Sequence, residues 1–301
     1  MWPPPGAAVT LDGVRMLLAA AAAALVATPS ATKVDVGEWT YGLASAGGSV
    51  WVGGLSRGDV VRLDPATGHV EGRVNVGVRV FNLAVAPGAV WAVSNLTSTV
   101  SRLDTRTGRV TATVHVGASP YDVEWGFGSA WVSNAGDGTV SRIRGTRVVK
   151  TIKVGTEPNG LSAIGGSVWV TDHTAGKLVR IDPRTNRVTG SVALPGADWV
   201  TKAAGSLWVS EETNVVARVD PKTLKVLARV PVKRNPLGSA VVNGQLWVPC
   251  IDAGAVVVID PRAGKVVRTV PAGPGPIVVL PVGGRVWLSH TTGNAVWRMG
   301  S

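Results

Sequence analysis

Hydrophobic and polar positions alternate in short runs along most of the chain, broken by Gly, Pro, Asn and Asp. Segments such as TVSRLD and RVTATVHV, rich in Val and Thr, carry the two-residue period of a half-buried strand, and helix formers are sparse between the breaks. Seven runs place a Gly shortly before a Trp: GSVWVGG, GAVWAVS, GSAWVSN, GSVWVTD, GSLWVSE, GQLWVPC and GRVWLSH, with Trp at 51, 91, 131, 169, 208, 247 and 287. The intervals are 40, 40, 38, 39, 39 and 40 residues. A period near 40 belongs to propeller blades or to helical arrays, and the strand-like residue types decide for blades.

The repeat at 77–116 reads as four strands: FNLAVA innermost (A), VWAVSN (B), TVSRLD (C) and RVTATVHV outermost (D). C-to-D turns recur as DPATG, DTRTG, DPRTN, DPKTL and DPRAG, where Asp opens the turn and Gly or Asn takes the left-handed position; IRGTR shortens the third. A lone blade leaves both faces and edges uncovered, whereas seven around an axis bury their faces on one another. The last repeat stops at AVWRMGS, a C strand, and TKVDVG at 32–37 matches the endings of other D strands. The predicted fold is all-β: a single seven-bladed β-propeller of four-stranded blades over 32–301, closed by an N-terminal outer strand.

Residues 17–27, LLAAAAAALVA, follow Arg15 and precede the small, polar TPSATK. The run is too short to span a bilayer and reads as the core of an export signal covering 1–31. The expectation is an exported, extracytoplasmic, monomeric protein without a transmembrane anchor. Of the 301 residues, 45% are hydrophobic and only 16% charged, with 38 Gly and 19 Pro, which excludes a disordered chain and a helical bundle. A single cysteine, Cys250, excludes an intrachain disulfide framework.

The repeats WVSNAGDGTVSRI and DPRTNRV with IKVGTEP resemble YVTN-type propellers, and GSVWVTDHTAGKLVRIDPRTNRV is similar to virginiamycin B lyase and its relatives. The second resemblance implies a streptogramin-cleaving C–O lyase with a histidine base and metal-holding glutamates. The family's histidine stands ten residues before each Trp; here that place holds Tyr41, Phe81, Tyr121, Asn159, Asp198, Leu237 and Ile277. Its glutamate stands three after Trp; here Gly54, Ser94, Asn134, Asp172, Glu211, Cys250 and His290 occupy it. Only Glu211 matches, with His290 left as a weak catalytic candidate, so the lyase activity is not carried over. A divalent cation is expected only under that alternative, and otherwise no cofactor.

Candidate chemistry gathers on the face of the D-to-A loops. Asp172, Glu211, Cys250 and His290 are ligand-type residues on successive blades, but adjacent blades separate these places by roughly 10 Å, too far for one shared ion. Strand alternation turns the positions nine and seven before Trp toward the channel, among them Asn82, Asp122, Glu124, Trp199 and Thr201. Asp122 and Glu124 are the channel carboxylates, able to share a proton or hold a hard cation. Tyr41, Phe81, Tyr121 and Trp199 suit stacking on a flat ligand or plugging the funnel mouth. The ligand set read from sequence is thus Tyr41, Phe81, Asn82, Tyr121, Asp122, Glu124, Asn159, Asp172, Asp198, Trp199 and Glu211.

The net charge of +11 is uneven. Arg106, Arg109, Arg144, Arg147, Arg184, Arg187, Lys222, Lys225, Arg262 and Lys265 lie in C-to-D turns on the opposite face, while acids collect in blades 3 to 5 on the loop face: Asp122, Asp137, Glu157, Asp172, Asp198, Glu211 and Glu212. The reading is a non-enzymatic binding or scaffold propeller that takes a small molecule, peptide or glycan on the acidic, aromatic face. The alternatives are the lyase and an adhesion module whose basic face meets an anionic envelope polymer; export argues against nucleic acid.

Overall fold

The computed structural model describes residues 31–300. They form seven four-stranded antiparallel sheets, with one short 3-10 segment, Ile251–Ala253, in blade 6. Blade 1 comprises strands A to D at Thr40–Ala46, Ser49–Gly54, Asp59–Leu63 and Val70–Asn75, and blades 2 to 6 repeat that order. Blade 7 supplies only Pro276–Val282, Arg285–His290 and Ala295–Gly300 in sequence order, and Thr32–Asp35 is its outer strand. Thr32 lies opposite Arg298 and Asp35 opposite Ala295. The ring is therefore closed as the repeat arithmetic requires. The apolar run 17–27, and with it the export reading, lies outside the described residues, within which no helix is long and apolar enough to cross a membrane.

The seven repeating tryptophans are at most 2% exposed and pack between blades; truncating one to Ala would cost about 3–5 kcal/mol. Over most of them lies an arginine from strand C. Arg142 stands 4.6 Å from the Trp131 ring, while Arg62, Arg180, Arg218 and Arg298 stand 5.7–5.9 Å from Trp51, Trp169, Trp208 and Trp287. Several of these guanidiniums also donate to the next blade's C-to-D turn: Arg142 to Pro183 O at 2.6 Å, Arg62 to Arg106 O and Arg180 to Pro221 O at 3.4 Å, and Arg298 to Ala66 O. Part of the positive charge is thus spent on holding blades together.

In the turns themselves, Asp64 Oδ1 accepts from Ala66 N and Thr67 N at 2.9 and 2.7 Å, and Asp104, Asp182, Asp220 and Asp260 repeat the arrangement. These backbone N–H groups hold all five carboxyls below the ordinary aspartate value. Blade 3 turns in two residues between Arg144 and Arg147, with Gly145 at φ 57°.

One feature of strand A is not legible as periodicity. Thr40 pairs with Gly54 and Leu43 with Val52, so Tyr41 and Gly42 together oppose Gly53. The same one-residue bulge recurs in the other blades. It shifts the alternation at the strand start, so the residue ten before Trp, not nine, faces the axis. The residue nine before Trp points at the following blade: a Cβ on Gly42, Gly160 or Gly238 would lie 2.6, 2.4 or 2.2 Å from the bulge carbonyl of Phe81, Asp198 or Ile277.

Candidate functional site

The seven bulge residues form a ring around the axis. Tyr41, Phe81 and Tyr121 pack together, with centroids 5.0 Å apart for Tyr41–Phe81 and Phe81–Tyr121 and 6.1 Å for Tyr41–Tyr121. Blades 1 and 3 are not neighbours, so that last contact fixes the rings at the axis. Leu237 and Ile277 join the same core from blades 6 and 7. The aromatics therefore plug the channel mouth. The Tyr41 and Tyr121 hydroxyls are 2.5 Å apart, and burial with the nearby negative charge of Asp198 raises both above the ordinary tyrosine value.

The polar break in this ring is at blades 4 and 5, where the bulge residues are Asn159 and Asp198. Asn159 Nδ2 stands 3.4 Å from Asp198 Oδ1, and the Asp198 carbonyl accepts from Thr171 Oγ1 of blade 4 at 2.6 Å. Above them sit the residues four after Trp. In every blade their backbone N–H donates to the carbonyl two residues before the bulge residue, as His173 N does to Glu157 O and Glu212 N to Gly196 O, both at 2.9 Å. That repeated bond pins His173 and Glu212 to the rim beside Asp198. His173 Nε2 lies 3.1 Å from Glu212 Oε1 and Nδ1 lies 3.6 Å from Glu157 Oε2. Donor atoms of His173, Asp198 and Glu212 all fall within 4.8 Å of one another.

Burial raises Asp198 to about 6, opposed by the charge of His173 and the amide of Asn159. Burial alone would lower His173, but Glu212, Asp198 and Glu157 outweigh it and hold the imidazole above its ordinary value. A single imidazole thus faces three carboxylates. Such a gap favours a positive group or a metal cation over an anion.

The other residues proposed from sequence are placed differently. Asp122 and Glu124 do not line an open channel. Asp122 is 4% exposed, its Oδ2 accepts from Leu161 N of the next blade at 2.7 Å and its Oδ1 from Val123 N at 2.8 Å. Glu124 Oε1 reaches Ala163 N at 3.4 Å. Glu124 pairs with Trp131 in the regular part of strand A, so it and Asp122, two residues before it, lie on the face turned to blade 4, where they satisfy backbone donors. Burial raises Asp122 well above its ordinary value and Glu124 to about 7. With both Asp122 oxygens already accepting, the pair is a poor place for a cation. Asn82 is buried in the equivalent position of blade 2.

Asp172 is fully buried and accepts from Thr156 N, Glu157 N and Ala175 N at 2.9, 3.0 and 3.2 Å. It shapes the loop that carries Glu157. Glu211 is 3.6 Å from Arg229 and accepts from Thr213 Oγ1 at 3.3 Å. His290 lies across the ring in blade 7, its ring 4.8 Å from Trp297 and its Nδ1 3.0 Å from Pro274 O, and burial lowers it. Cys250 is buried and burial raises its thiol to about 11, so it is not a poised nucleophile. Trp199 packs partly buried against the axial core, and beside Tyr41 and Phe81 an open cavity of about 620 Å³ is lined by Trp39, Val78 and Leu96.

Of the sequence candidates, the structure thus brings Asn159, Asp198 and Tyr121 to one place. The reading from sequence omitted His173 and left Glu157 and Glu212 as part of a general acidic excess. The signal was available in the position four after Trp, which reads Leu55, Asn95, Ala135, His173, Glu212, Ile251 and Thr291. Only blades 4 and 5 place an ionisable residue there, the same blades whose bulge residues are polar.

Comparison with known proteins agrees with the architecture. A solved chain of Kuenenia stuttgartiensis hydrazine synthase superposes with a TM-score of 0.77 at 18% identity, covering 87% of this chain and 95% of that one. At that identity the likeness speaks for the fold alone. No curated protein matches in sequence. Two family models match stretches just short of half the chain: a repeat of unknown function over 13–159 and glutamine cyclotransferase over 128–274, the second spanning the whole of the blade 4 and 5 gap.

Proposed function

We propose that this chain is an exported, non-enzymatic binding propeller that takes a cationic group in the gap between blades 4 and 5, with the apolar shelf of Trp39 and Leu96 available to the remainder of a larger ligand. The observation that carries this reading is the gathering of Glu157, Asp198 and Glu212 around His173 at the one polar break in an otherwise apolar axial ring. Calorimetric titration with a diamine, a tripeptide bearing a free amino terminus, and a neutral oligosaccharide tests it. The first two should bind and lose at least tenfold in affinity in the Asp198→Asn, Glu212→Gln double variant. Binding that survives that change and disappears when Arg184, Arg187, Lys222 and Lys225 are neutralised would move the working surface to the opposite face, where an anionic polymer is the fitting partner.

The glutamine cyclotransferase match favours a second reading, because it covers Glu157, Asn159, His173, Asp198 and Glu212. Cyclisation of an amino-terminal glutamine joins its α-amine to the side-chain amide carbon and releases ammonia. A carboxylate with a raised pKa, such as Asp198, suits taking the amine proton and returning it to the leaving ammonia. Ammonia release from a glutaminyl peptide that is lost in Asp198→Asn would replace the non-enzymatic reading. Streptogramin cleavage has only the fold in its favour.

A further inference from the structure

We propose that the gap between blades 4 and 5 is a divalent transition-metal site, with one ring nitrogen of His173 and one carboxylate oxygen each of Asp198 and Glu212 as ligands. The inference rests on the reading that this gap takes a cation and names the cation's class. Two donors about 2.0–2.2 Å from one tetrahedral ion stand roughly 3.4 Å apart. His173 Nε2 and Glu212 Oε1 are separated by 3.1 Å, and Nε2 is buried without a hydrogen bond of acceptable angle. Glu212 is exposed, so rotation of its side chain can close the remaining distance to Asp198, whose carboxylate is held in the bulge.

The surrounding groups are those that orient metal ligands. Glu157 faces Nδ1, the nitrogen left over if Nε2 binds metal, and is itself held by Thr174 Oγ1. A carboxylate on the far nitrogen fixes the tautomer and strengthens the imidazole as a ligand. Asn159, beside the gap, is 5% exposed; its amide nitrogen contacts Asp198 Oδ1, and its own buried Oδ1 has no hydrogen-bond partner. An imidazole in the set selects a zinc-like ion over Ca²⁺ or Mg²⁺, which prefer all-oxygen cages. Three protein ligands on a rim leave at least one coordination position open to solvent or ligand.

The test uses the full chain after dialysis against a chelator, titrated with Zn²⁺ by calorimetry and with Co²⁺ by visible absorption. One ion per chain should bind, unaffected by millimolar Ca²⁺ or Mg²⁺. Binding should be lost in His173→Ala and in Asp198→Asn, weakened about 10- to 100-fold in Glu157→Gln, and unchanged in Asp122→Asn. Metal-free urea unfolding of each variant separates loss of binding from loss of fold. Zinc that does not bind, or that binds equally in His173→Ala and wild type, overturns the inference. If amines bind in the gap while zinc does not, only the metal assignment falls; if neither binds, the cation-binding reading falls with it.

Discussion

Glu124 offers a direct test of which way strand A turns its carboxylates, since it lies opposite Trp131 and against blade 4. Replacing it with Gln keeps an oxygen to accept from Ala163 N and removes only the capacity to ionise. The glutamate is raised by burial from 4.5 to about 7 in the folded chain, against the smaller opposing effect of that backbone bond. A raised folded value means the native state holds the proton more tightly than the unfolded chain. No penalty exists below pH 4.5, where both states are protonated; it grows between 4.5 and 7 and is complete above 7. The difference of about 2.5 units corresponds to roughly 3 kcal/mol, an upper bound because the side chain is only part-buried. Urea unfolding at pH 5, 6, 7 and 8 should show wild type losing stability relative to Glu124→Gln by up to that amount, with the gap levelling above pH 7. A difference that stays constant from pH 5 to 8 would mean the carboxylate is solvated, returning it to the open channel that strand alternation alone predicts.

Three further outcomes follow from packing. Removing residues 1–38 strips the outer strand from blade 7 and should cause aggregation by size-exclusion chromatography, whereas removing 1–30 should leave a monomer. Arg142→Ala should cost about 2–4 kcal/mol in urea unfolding, through lost stacking on Trp131 and an unpaired Pro183 carbonyl, while Arg102→Ala, which donates only to Thr111 of its own blade, should cost under about 1 kcal/mol. Gly160→Ala should drive a methyl into the Asp198 carbonyl, 2.4 Å from the new Cβ, displacing the bulge of blade 5 and weakening cation binding measured by calorimetry; unchanged affinity would refute the close approach of the two strands.

The ring was legible because its signals are repeated: seven tryptophans at one period, the Asp turns, and a D-strand sequence found before blade 1 instead of after blade 7. Each repeat corroborates the others. The site was only partly legible. Alternation is a sound guide along a regular strand, yet one inserted residue at the start of strand A exchanges which neighbour faces the axis and which faces the next blade. That exchange accounts for Tyr41 and Tyr121 meeting at the centre. Asp122, expected in the channel, lies instead with Glu124 on the face turned to blade 4, buried against Leu161. His173 and Glu212 lie in loops, where hydrophobic period carries no information, and a backbone bond common to all blades is what places them.

The outer strand Thr32–Asp35 also sets the order of events in folding. It is the first described strand to be synthesised, and its hydrogen-bond partners in Ala295–Gly300 are the last. Blades 1 to 6 each pair within a short stretch of sequence and can form as the chain lengthens, whereas blade 7 closes a loop that encompasses the whole ring. Until then one strand waits without a partner, and an edge stays open to any other chain with a matching strand. Two incomplete molecules that exchanged this strand would each satisfy the other's edge, so the interval before closure is where a strand-swapped dimer would arise.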